Sequence, residues 1–149
     1  MKKLLYGVAA VAAYFVYILP AVTLLNLRRP REPLTDATRV VMLMFFPQLE
    51  LTRVMVIDEA TLPWPRPRRA ITLGRTIYVR NSFDQATSRD RRLLLHELVH
   101  VDQYRRMGTA GFIWAYGRAL AEAGSYRKNA LEVEAFVFVM NHRGSIGHL

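Results

Sequence analysis

The chain reads as an α+β protein, and three observations lead there. Two short apolar stretches, 70–73 and 76–79, flank Gly74-Arg75 with the alternation of a hairpin. From Thr87 onward the apolar residues recur at helical spacing. Ahead of both stands a long uncharged run that ends at Leu27. With 149 residues, there is material for one modest domain beyond that run.

Lys2 and Lys3 precede the 24 positions from Leu4 to Leu27, none of them charged. That exceeds the ~20 residues a helix needs to cross a bilayer. Tyr6, Tyr14 and Tyr17 suit interfacial or packing positions, and Pro20 is a kink point. A cleaved leader has an apolar region of only ~7–15 residues and an A-x-A-like site. The run is longer than that, and Ala21-Val22-Thr23 is a poor match. Residues 1–27 are therefore expected to be a membrane anchor and 28–149 the folded domain. The basic residues on the two sides (Lys2 and Lys3 against Arg28, Arg29, Arg31 and Arg39) nearly balance, so charge does not orient the span.

Residues 28–36 form a charged, proline-bearing linker. The apolar stretch 38–46, closed by Pro47, is too short to span; it suits a short helix on the domain or at the bilayer surface, or a buried strand. Residues 53–58 are β-branched and apolar and predict a strand. Three prolines among Pro63, Pro65 and Pro67 make 62–67 a loop. In the hairpin, Ile71 and Leu73 share one face, and so do Ile77 and Val79. Thr87-Ser88-Arg89-Asp90 marks a helix start and Gly108 a stop. A second helix covers 109–123, 124–128 is a break, and Asn129 opens a last helix from Ala130 to about His142.

Composition narrows the chemistry. The absence of cysteine removes disulfides, thiolate metal sites and a cysteine nucleophile. A formal charge of +9 favours an acidic partner surface: lipid headgroups, nucleic acid or an acidic protein. The arginines are scattered and no basic stripe is interleaved with aromatics, which disfavours nucleic acid as the partner.

The chemistry-bearing stretch is His96-Glu97-Leu98-Val99-His100. On a helix the two imidazoles lie one turn apart on one face, where both reach a single ion. Glu97 stands beside that face, where it can hold a water on the ion. Leu93, Leu94, Leu95, Leu98, Val99 and Val101 surround the motif, so this is a buried helix. Buried polar groups need partners, and a metal is a better one than backbone alone. Catalytic zinc takes three protein ligands. Gln103 and Arg106 stand where a metzincin would place its glycine and third histidine, so that class is excluded. On the last helix Glu132 shares a side with small Ala135, which permits close approach, whereas Glu134 points nearly the opposite way. Glu132 is the expected third ligand and Glu134 the fallback; a capping role with Asn129 is the competing use of Glu132. Gln103, one turn on, suits support of a histidine or an ordinary core hydrogen bond.

His-Glu-Leu-Val-His-Val-Asp-Gln followed by Glu-x-Glu-Ala resembles the gluzincin zinc metallopeptidases. It is similar to the Ste24-type and HtpX-type membrane proteases and to small bacterial zincin-like domains. The likeness runs from about Ile71 to His142. It implies a zincin-like domain with a short antiparallel sheet, zinc on His96, His100 and Glu132, and Glu97 as general base for a zinc-activated water attacking a peptide bond. Phe136 stands where the membrane proteases carry an aspartate. Tyr104, Tyr116, Tyr126 and His142 are the candidates for stabilising an oxyanion. One strand of the hairpin would align a peptide or protein substrate by strand addition. Single-pass residence in a bacterial inner membrane is the corresponding expectation. The alternative is a catalytically silent, membrane-anchored binding module that keeps the metal for structure. Nothing in the sequence sets the oligomeric state.

Overall fold

The computed structural model describes residue 9, residues 12–63 and residues 69–146. Much of the start of the expected span, and residues 64–68 of the proline-rich loop, therefore lie outside the described residues. The described elements make an α+β arrangement, mostly helical, around a small four-stranded sheet.

A π-helical turn, Tyr14–Ile18, leads into α1, Leu19–Leu25. Pro20 sits at the start of α1. Its ring nitrogen cannot donate to the turn before it, which accounts for a widened turn at that point. No helix among the described residues is long and apolar enough to cross a membrane. Val22 of α1 is fully buried, in a cluster with Ile57, Leu73, Tyr78 and Leu131. Just after α1, buried Asn26 donates to Val22 O (2.8 Å) and Thr61 O (2.9 Å) and accepts from Thr61 N (2.8 Å). The last turns of the apolar run are thus fastened to the domain.

The stretch expected to be a linker contains β1, Glu32–Pro33. Proline is tolerated there because the strand is at the sheet edge. Helix α2, Asp36–Leu43, follows with Thr35 as its N-cap, the hydroxyl accepting from Thr38 N at 3.2 Å. Strand β2 is Met55–Ile57, and the hairpin is β3, Ala70–Leu73, and β4, Thr76–Val79. Gly74 in the two-residue turn has φ 62°, the left-handed conformation that glycine adopts without penalty.

The sheet is mixed, where an antiparallel one was expected. Its order is β1-β2-β4-β3, with β1 antiparallel to β2, β2 parallel to β4, and β3 antiparallel to β4. Residues 58–75 supply the long connection that parallel strands require. Because β4 rather than β3 docks on β2, β3 becomes the outer strand. The register pairs Ala70 with Val79 and Thr72 with Ile77, so these four side chains share a face. Ile71 and Leu73 share the opposite face with Tyr78. Apolar residues occur at both parities because both faces are covered: Val56, Ile77 and Val79 join Leu94, Leu95 and Leu98, while Ile57, Leu73 and Tyr78 join Val22 and Phe112.

The long helix α3, Ser88–Ala123, is interrupted at Gly108, whose φ of 68° and ψ of 167° are not helical. The consequence is visible at Tyr104 and Phe112, whose rings stack with centroids 3.9 Å apart. On a straight helix eight residues rise about 12 Å. The second arm therefore folds back at Gly108. Helix α4, Ala130–Asn141, is capped by Asn129, which accepts from Leu131 N at 3.0 Å. A short α5, Arg143–Ile146, ends the description.

Candidate metal centre

Helix α4 lies against the first arm of α3 through Ala135, which is completely buried. A methyl at that position lets the two backbones approach, and the approach carries Glu132 onto the histidine face. Glu132 Oε2 lies 3.2 Å from His96 Nε2 and 3.5 Å from His100 Nε2. The three ligand atoms all fall within 4.8 Å of one another, and the residues are buried or nearly so.

The other carboxylate oxygen is held. Tyr116 OH, from the folded-back arm of α3, donates to Glu132 Oε1 at 2.6 Å. Tyr116 is in turn placed by Asn129, whose amide donates to Tyr116 O at 3.1 Å. Oε2 is left buried with no hydrogen bond. An orphaned buried carboxylate oxygen is costly unless a cation or donor reaches it.

His100 has its orientation set from behind. Gln103 is fully buried, and its Nε2 donates to Leu131 O (3.1 Å) and Glu134 Oε2 (2.9 Å). Those two acceptors fix which end of the amide is nitrogen. Gln103 Oε1 must then accept from His100 Nδ1, 2.8 Å away, and the lone pair of a neutral imidazole lies on Nε2, toward Glu132. The rings of His96 and His100 meet edge to face at 5.0 Å, and Phe136 covers His96 at 4.8 Å.

The electrostatics agree with the geometry. Burial works to push the Glu132 carboxyl up, but the imidazoles of His100 and His96 and the Tyr116 hydroxyl outweigh it and hold the group well below the usual carboxylate range. Burial works to lower His100, and Glu132, the charge of Glu97 and Gln103 together raise it above its ordinary value.

The donor set could hold a divalent metal ion. Two imidazoles and a carboxylate bound at ~2.0–2.1 Å in a tetrahedral array sit roughly 3.3 Å apart. The observed 3.2 and 3.5 Å are close to that edge length before any ion is added.

Glu97 is buried beside the cluster, and its Oε2 accepts from Thr72 Oγ1 of β3 at 2.7 Å. Glu134 is not at the site; it pairs with Arg106 (2.5 Å) and braces Gln103. Of the four oxyanion candidates, Tyr116 reaches the cluster, through Glu132. Tyr104 is buried in its stack on Phe112, and Tyr126 is half-buried in the turn before α4. His142 lies at the far end of α4 beside Phe138 and Phe45. Thr72 and Asn129 were missed as site residues. The available sign for Thr72 was a lone hydroxyl in an otherwise apolar strand.

Residues 66–108 match the eCIS core domain family. The matched stretch runs through the hairpin and the first arm of α3, so it contains His96, Glu97 and His100 but not Glu132. No curated protein matches the chain, and no solved structure does.

Proposed function

We propose that this chain is a membrane-tethered zinc metallopeptidase acting on peptide or protein substrates near the bilayer. The observation that carries the reading is Glu132 Oε2: buried, without a hydrogen bond, and 3.2 and 3.5 Å from two imidazole nitrogens. His96, His100 and Glu132 would hold the metal. When bound, zinc supplies a Lewis acid that brings the pKa of water to ~7 and polarises a carbonyl. Glu97 is the proton carrier, taking a proton from the attacking water and passing it to the leaving amine nitrogen. Strand β3 pairs on one side only among the described residues, with β4, which leaves its other edge for an extended peptide. Tethering rests on the uncharged run 4–27 and the arginines that follow it. This reading keeps the resemblance to gluzincins, whose zincin-like fold is part of the proposal.

Glu97→Gln tests the chemistry. In full-length protein purified in detergent without chelator, zinc content should match wild type while cleavage of unfolded casein falls by at least ~10²-fold. Equal turnover in both removes Glu97 as the base. Zinc binding without turnover in wild type favours the silent binding module, a reading that Phe136 over His96 supports. Carbonate-resistant pelleting of the full chain is the expected result for the tether, and release into the supernatant refutes it.

A further inference from the structure

Thr72 is the polar residue of β3, whose other members are Ala70, Ile71 and Leu73. Its pairing with Ile77 turns it to the face that packs on the first arm of α3. A buried hydroxyl has to find an acceptor. It finds the carboxylate of Glu97, 25 residues along the chain, at 2.7 Å. That length suits a hydroxyl donating to an ionised carboxylate.

We propose that Thr72 is the positioning residue for Glu97, so that the strand offered to the substrate also aims the base. The inference rests on the metallopeptidase reading and deepens it. Thr72 is β-branched, and such side chains have few χ1 positions in a strand, so the hydroxyl points along a defined direction. Its bond ties down one oxygen of Glu97. The other, Oε1, is not engaged by that bond and is the oxygen left to move a proton. Because β3 is the outer strand, a peptide laid along it is registered to the same backbone that carries Thr72. Thr72 is not one of the three ligand residues, and its hydrogen bond reaches the site through Glu97.

The test compares Thr72→Val, nearly the same shape without the hydroxyl, with Thr72→Ser, which keeps it. Full-length proteins are brought to matched zinc occupancy and assayed on fluorescein-labelled casein. Thr72→Val should lower kcat by ~10–100-fold, the usual effect of removing an outer partner from such a site, with KM little changed. Thr72→Ser should restore most of the loss. Crystal structures of the zinc-loaded wild type and Thr72→Val proteins give the second readout: the Glu97 carboxylate in place in the first and turned away in the second. If Thr72→Val fails to fold, Thr72→Ala is measured the same way. A hydroxyl-free variant with wild-type kcat, or with Glu97 unmoved in the crystal, overturns the proposal. Casein left intact by the wild type defeats the metallopeptidase reading instead, and the crystal comparison still decides what Thr72 does.

Discussion

Replacing Glu132 with glutamine keeps its volume and removes the anion on which the candidate centre depends. The amide cannot serve as a charged ligand, and it turns an N–H₂ or a neutral oxygen toward two imidazole nitrogens 3.2 and 3.5 Å away. Structural zinc sites with four ligands have apparent binding free energies of ~10–16 kcal/mol, or about 2.5–4 kcal/mol for each ligand. Loss of one ligand should weaken zinc binding by two to three orders of magnitude, on the order of 10²–10³-fold. Glu134→Gln is the matched control on the same helix. Glu134 is half exposed and pairs with Arg106, an arrangement worth ~0–1 kcal/mol, so zinc affinity should move by no more than a few-fold. Competition against a colorimetric chelator, with the full-length protein in detergent at neutral pH, measures both. Wild-type affinity in Glu132→Gln together with a large loss in Glu134→Gln would reverse the assignment. Retained affinity in both would mean that the ion is held elsewhere.

Gln103→Leu removes the acceptor that holds His100 Nδ1, and zinc affinity should drop by ~10–100-fold while Glu132 stays in place; unchanged affinity would make Gln103 a core residue only. Asn26→Ala breaks two hydrogen bonds to Thr61 in the loop after β2 and a third to Val22 O within α1, and leaves backbone groups unpaired. The cost should be about 1–3 kcal/mol, seen as a lower melting temperature of the full chain, and an unaltered melt refutes the fastening role. The metal-free protein should show its own pH profile. Glu132 has a lowered pKa, so its contribution is complete above its ordinary 4.5 and is lost as pH falls. His100 has a raised pKa, so its contribution is complete below its ordinary 6.5 and is lost as pH rises through the raised value. After chelation, the melting temperature should therefore be higher at pH 6 than at pH 8, and Glu132→Gln should flatten that difference. A profile that rises between those two pH values contradicts the upward shift of His100.

How much of this was open to sequence reading depended on how far apart the interacting residues lie. Helix ends were legible because caps are local: Thr87 and Asn129 each bond a backbone N–H two or three residues on. That Glu132 and not Glu134 faces the histidines was legible for the same reason, since two residues of helix turn a side chain through ~200° whatever the helix packs against. The helix over 36–43 was legible as a short helix over 38–46 with a buried strand as the alternative, and the strand at 32–33 was hidden inside a charged linker because two residues carry no period. The expected antiparallel sheet failed at β2, which pairs in parallel with β4 rather than with β3, the next strand in the chain.

By itself, then, the sequence determined that His96 and His100 share a face, that Glu97 stands beside them, that 70–79 turns back on itself, and that a small residue sits next to Glu132. All of these follow from φ/ψ geometry within a turn or two of chain. Only the tertiary structure decided that Oε2 of Glu132 stops 3.2 and 3.5 Å from the two imidazoles, that Tyr116 takes the other oxygen, that Thr72 holds Glu97, and that Val22 is buried in the domain. Those contacts join residues 16 to 36 or more positions apart. No local spacing encodes them, because they are set by which apolar faces bury one another: Ala135 against α3, and the sheet with β3 at its edge.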